Sequence, residues 1–246
     1  MRPIFAKRRN CKFDFLRPFD LNQSTPPVGP LNTVSQTYFS ADESLLITTV
    51  KGDPTSKKTG FVSVHSVSGA SHFGQAHVSA ADTRSIVNGT NVLFGFEQIP
   101  ESDNYFVANP SFGVAIITVD EITETSSILY KQEIPNQKAT CWATISLCSN
   151  SAYVTDPIVN HIVELSLADA SILSILNTTS TNDATGYIDI TAAGDYVYAL
   201  SPGSQSGTEA EVAVPSVCGF KSKSIIQSLN VGEWAGTSAQ GLATFP

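Results

Sequence analysis

One phrase recurs four times along this chain: a run of β-forming residues, a polar turn residue, then proline. It reads SLLITTVKGDP at 44–54, NYFVANP at 104–110, SAYVTDP at 151–157 and DYVYALSP at 195–202. The prolines Pro54, Pro110, Pro157 and Pro202 stand roughly 45–55 residues apart, a spacing that in β-rich chains marks a β-propeller with one four-stranded blade per repeat. The phrase therefore predicts an all-β fold whose equivalent loops, distant in sequence, gather around one face.

Between the phrases, short apolar runs separated by Asp, Asn, Ser and Gly fall into fours, as hairpin-connected strands require. The first blade is expected from strands at 34–39, 45–50, 60–67 and a weak outer strand at 74–78, and the second from 91–97, 105–108, 114–119 and 127–134. The third takes 140–147, 152–155, 161–165 and 172–177, and the fourth 187–191, 196–200, 211–214 and 224–231. A Pro-rich, irregular lead-in occupies 1–32, the blades span 33–85, 86–135, 136–180 and 181–232, and 236–245 reads as a lone closing strand. Four blades and an orphan strand fit either a small ring or part of a larger one.

Charge and cysteine content narrow the function classes. The formal net charge is −8, which disfavours nucleic acid or an anionic membrane as partner. Basic residues cluster at the start (Arg2, Lys7, Arg8, Arg9, Lys12, Arg17), and Arg84 is the one later arginine; such a stretch reads as a solvated tail. No apolar run reaches membrane-spanning length, and the N-terminus lacks the apolar core of a signal peptide. Asn22, Asn88 and Asn177 each open an N-glycosylation sequon. The cysteines Cys11, Cys141, Cys148 and Cys218 show no zinc-type spacing and allow up to two disulfides of unassigned pairing. His65, His72, His77 and His161 lack paired ligand spacing, so no metal is expected on them, calcium on Asp and backbone carbonyls of the channel being the alternative; no phosphate-binding loop is present and no cofactor is expected.

Four segments carry a resemblance: DLNQSTPPVGP at 20–30, YFSADESLLITTVKG at 38–52, QKATCWATIS at 137–146 and QGLATF at 240–245. In this order they resemble the secreted fungal seven-bladed propellers known as 3-carboxymuconate cyclase-like proteins, distant relatives of the 3-carboxy-cis,cis-muconate lactonising enzyme and of propeller lactonases. The resemblance implies an extracellular propeller of which this chain is the C-terminal portion. In the family, about three blades and a signal peptide precede the LNQSTPP segment; here a short basic stretch stands in their place. A cyclase of that kind handles a tricarboxylate, for which arginine forks are the natural clamps, and the scarcity of arginine departs from that need.

The proline phrases place Lys51, Asp53, Asn109, Asp156 and Ser201 on one face, with Lys138 and Asp183 expected from the inter-blade loops. Lys51, Asp53 and Asp156 are the candidate catalytic groups, a carboxylate as general base and a lysine as anion clamp; Asn109, Lys138 and Ser201 are candidate binding groups on the channel face. Asp, Asn and Ser are equally what tight turns select. Cys141-Trp142 offers an aromatic wall or a thiol at the channel mouth, or simply a buried pair. Two functions follow: a secreted propeller glycoprotein or binding module without catalysis, and a lactonase- or cycloisomerase-like enzyme acting on a small carboxylate or lactone. The first is the expectation here, with self-association through exposed blade edges as a further one.

Overall fold

The computed structural model describes residues 15–69, 76–178, 186–219 and 223–244. Most of the basic N-terminal stretch, Cys11, His72, Asp183 and part of the expected outer strand at 74–78 lie outside them. The described residues contain strands and no helix, and so no helix long and apolar enough to cross a membrane.

Among the described residues seventeen strands form four separate antiparallel sheets. The first runs β1 (Val34–Phe39), β2 (Leu45–Val50), β3 (Phe61–Ser68), with its outer position shared by two short strands, β4 (His77–Val78) on the far half of β3 and β5 (Thr83–Ser85) on the near half. The second is β6 (Phe96–Gln98), β7 (Asn104–Asn109), β8 (Gly113–Val119), β9 (Ser126–Glu133). The third is β10 (Trp142–Ser146), β11 (Ser151–Thr155), β12 (His161–Ser166), β13 (Ile172–Asn177), and the fourth β14 (Asp189–Ala193), β15 (Tyr196–Ser201), β16 (Glu211–Ser216), β17 (Ser224–Asn230).

The sheets stack as blades because their middle strands are apolar on both faces. Side chains in a strand alternate sides, and β7 divides its residues accordingly: Tyr105 and Val107 join Leu45, Ile47, Val62 and Val64 of the first sheet, while Phe106 and Ala108 join Ile145, Val154 and Val163 of the third. Likewise Val154 packs back toward the second sheet and Tyr153 forward onto Tyr187, Val197 and Ala213 of the fourth. Outer strands alternate instead, as in β13 (ILSILN), where Leu173 and Ile175 are exposed. Three apolar layers thus join four blades, and among the described residues no fourth layer joins the last to the first. The fold is a partial β-propeller.

Each seam also carries a polar bracket. A side chain on one blade's inner strand accepts the amide of the next: Gln36 from Phe96 (2.7 Å), Glu97 from Ile145 (2.8 Å), Thr144 from Ala192 (3.1 Å).

Three expectations are corrected. The inner strand of the second blade is short because the run before it divides its bonds between blades: Val92 bridges to Lys51, and the Gly95 amide bonds Cys141 O at 2.8 Å while Phe94 N and Gly95 O pair with Ala108 of β7. A Cβ at Gly95 would collide with Trp142, which permits only glycine at this seam. The fourth blade starts at Asp189 rather than 187, because the Tyr187 amide goes to Asp156 O at 2.9 Å. The closing strand at 236–245 carries no ladder over its described residues. Gly241 sits at φ 88, a left-handed conformation that interrupts an extended run, and the Leu242 amide is held by the Asp189 carboxylate at 2.7 Å.

The lead-in lies along the first blade. Phe19 packs on Phe61 with ring centroids 5.8 Å apart, Lys58 Nζ donates to Leu21 O at 2.9 Å, and Arg17 donates to Ser79 O and Val78 O.

Candidate site in the central cavity

At the end of the arc where the second strands finish and the inner strands begin, a cavity of about 800 Å³ opens between all four blades. Lys51 enters it from the end of β2, Phe94 from the approach to β6, Cys141 and Trp142 from the start of β10, and Ile188 from the residue before β14. Pro110 and Pro157 of the recurring phrase line the wall, as do Pro27, Pro30 and Leu31 of the lead-in and Gln240 of the tail.

Its chemistry centres on Lys51. The residue is only 7% exposed, with its ammonium 4.2 Å from the centre of the Phe94 ring, close enough for cation–π attraction. Phe94 in turn meets Trp142 edge-on, centroids 5.9 Å apart at 81°, and its carbonyl accepts Thr49 Oγ1 at 2.9 Å. Among the described residues Lys51 makes no ion pair. Burial therefore lowers its pKa below the ordinary lysine value, since desolvation penalises the charged form. Cys141, a free and buried thiol, is pushed up to about 12 by burial and then by the Asp156 charge, with Lys51 opposing more weakly. It is thus protonated at neutral pH and a poor nucleophile.

The other sequence candidates fare differently. Lys51, Asn109, Asp156 and Ser201 all stand buried at the ends of second strands, at 7%, 0%, 0% and 0% exposure. Only Lys51 among them lines the cavity. Asp156 is a backbone clasp: Oδ2 accepts the amides of Lys138 (2.6 Å) and Ala139 (2.8 Å), and Oδ1 those of Ile158 (2.9 Å) and Val159 (3.2 Å). Lys138 contributes that amide, and its exposed side chain lies outside the lining. Asn109 caps its turn through Ser111 N at 3.0 Å, while its Nδ2 and the Ser201 Oγ are buried without a hydrogen-bond partner among the described residues. Asp53 stands outside the lining in the β2–β3 turn, where Ser56 and Thr55 hydroxyls hold its carboxyl down to about 2. Sequence reading missed Phe94, Gln240 and the lead-in prolines, because they lie outside the recurring phrase.

Elsewhere, Asn22, Asn88 and Asn177 are exposed, and Cys148 and Cys218 form a disulfide, α-carbons 5.8 Å apart, tying the third blade to the fourth. Among the described residues neither His65 nor His161, both buried, belongs to a metal-ligating cluster.

No protein-family model matches the chain, and no curated protein does. Among solved structures it is similar to a functionally unknown protein from Desulfotomaculum acetoxidans DSM 771, at 14% identity and a TM-score of 0.57, over 81% of this chain and 56% of that one. It is also similar to candidate 6-phosphogluconolactonases from Bacteroides uniformis ATCC 8492 (12% identity, TM-score 0.49, 81% of this chain and 71% of that one) and Bacteroides fragilis NCTC 9343 (12%, 0.48, 79% and 70%). Identities this low speak to fold and not to activity. This chain spans 56% of the length of the Desulfotomaculum protein.

Proposed function

We propose that the central cavity binds a small, largely apolar monocarboxylate or lactone, with Lys51 as anion clamp and Phe94 and Trp142 as the apolar wall, and that this chain acts as a binding module rather than a lactonising catalyst. The observation that carries the reading is the buried Lys51 ammonium, without an ion pair among the described residues, in a wall whose described residues include no carboxylate and no imidazole. A carboxylate entering the cavity would restore the charge partner that burial denies the ammonium. A lactonase- or cycloisomerase-like reaction needs a group that moves a proton at the reacting carbon. Asp156 has both oxygens committed to amides, and Asp53 is committed to its turn. One cation suits one carboxylate, so a tricarboxylate such as 3-carboxymuconate should bind weakly and not turn over.

The exposed sequons and the disulfide support an extracellular setting, where disulfides persist, in keeping with the resemblance of four segments to the secreted fungal cyclase-like propellers. Calorimetric titration with benzoate and with aliphatic lactones, read alongside Trp142 fluorescence, tests the site. Saturable binding that Lys51→Met abolishes is expected. Binding unchanged in Lys51→Met, or measurable lactone turnover, would overturn the proposal.

A further inference from the structure

At the opposite end of the arc, where inner strands finish, lies a second cavity of about 450 Å³. Cys148 in the β10–β11 turn and Asp195 in the β14–β15 turn line it, and Cys218, just beyond β16, completes a group of three ligand atoms all within 4.8 Å of one another. Cys148 Sγ stands 3.7 Å from Asp195 Oδ1. The Val217 amide bonds Asp195 O at 3.0 Å, which fixes the aspartate beside the cysteine that follows Val217.

We propose that this cluster is a redox-gated site for a zinc-class divalent ion: a disulfide staple when oxidised, and a two-thiolate, one-carboxylate metal clip when reduced. Thiolates select soft or borderline metals, and three protein ligands facing open space match zinc sites that keep a fourth position for water. Here the cavity supplies that space. Cys148 and Asp195 are exposed and Cys218 is half-buried, so a reductant reaches the bond; exposed disulfides are the labile ones. The chemistry balances. A thiol or phosphine reductant delivers two electrons, and with two protons the S–S bond becomes two thiols. The incoming M²⁺ then displaces both protons and takes the Asp195 carboxylate as third ligand. Both states join the third and fourth blades, and neither involves Lys51 or the central cavity.

The test uses the whole chain carrying Cys11→Ser, so that the one cysteine left outside the cluster is Cys141, which is buried. After phosphine reduction without oxygen, Co²⁺ titration should give a near-ultraviolet sulfur-to-cobalt charge-transfer band saturating at one ion per chain, and Zn²⁺ should bleach it. The oxidised protein should show no band. Asp195→Asn should weaken affinity by at least about tenfold, the low end of what losing even an outer-shell partner does, and Cys148→Ser should remove the band. If Cys148→Ser fails to fold, protection of two thiols from alkylation by Zn²⁺ in the Cys11→Ser chain reads the same site. Absence of the band in reduced, folded protein, equal uptake by the oxidised protein, or alkylation unaffected by Zn²⁺ would overturn the proposal.

Discussion

At Asp156 one carboxylate holds four backbone amides from two loops, the inter-blade linker at Lys138–Ala139 and the turn at Ile158–Val159. Hydrogen bonds to a charged acceptor contribute more than neutral ones, and the amides left behind on truncation are partly buried, so Asp156→Ala should cost about 3–5 kcal/mol of unfolding free energy. Urea melts check this, and a loss near zero would mean that water replaces the carboxylate freely. Lys51 behaves oppositely. Its folded pKa lies below the ordinary 10.5, so between those values the unfolded chain binds the extra proton and stability rises with pH. Lys51→Met should therefore raise the melting midpoint at pH values below the depressed pKa, and the gain should vanish above 10.5. An unchanged or lowered midpoint at neutral pH would instead assign the stack on Phe94 the larger share. The two residues also mark what the sequence could tell. Asp53-Pro54 and Asp156-Pro157 read alike, yet the β2–β3 connection reaches further before it turns. Asp53 bridges to Lys58, and Lys51, two positions earlier, takes the buried strand-end place that Asp156 holds in the third blade. A shift of two residues leaves the phrase intact and changes which side chain takes the buried strand-end place.

Blade strands were legible wherever a run is apolar on both faces, as in GVAIITV of β8, because no exposed strand reads that way. Inner strands were less so. Their ends are set by bonds to adjacent blades, such as Gly95 to Cys141, which no local pattern encodes. The brackets between inner strands were invisible for the same reason, and Glu97 shows their chemistry. Burial raises its pKa above the ordinary 4.5, although the Ile145 amide and the Thr144 hydroxyl pull it down. A raised carboxyl binds a proton more readily folded than unfolded, so its stabilising contribution is present at low pH and lost as pH rises through the folded value. Glu97→Gln keeps an acceptor for Ile145, as Gln36 does for Phe96 in the preceding seam. It should stabilise the protein at neutral pH, with the difference disappearing below about pH 4.5. A destabilised variant at pH 7 would show that the bracket needs the charge.

The molecule as a whole is an arc of four blades held by three apolar layers and one covalent staple. The Cys148–Cys218 link spans a sequence separation of 70, and chain-entropy accounting assigns a loop of that size about 4 kcal/mol. Metal-free reduction should lower the melting midpoint by several degrees, and an unchanged melt would place the stability of that seam wholly in its apolar layer. Apolar groups remain on the first inner strand, with Tyr38 and Phe39 at 37% and 48% exposure, and beyond the last outer strand, with Trp234 at 79%. Such edges favour association with further copies, so light scattering at micromolar concentration should report more than a monomer; a monomer with a cooperative melt would refute this. The brackets also have a polarity. Gln36, Glu97 and Thr144 precede the amides they hold by 60, 48 and 48 residues. If the blades dock in the order of synthesis, each finished sheet displays an empty acceptor for the next inner strand, and a chain that stalls between blades would carry one vacant acceptor at its growing edge.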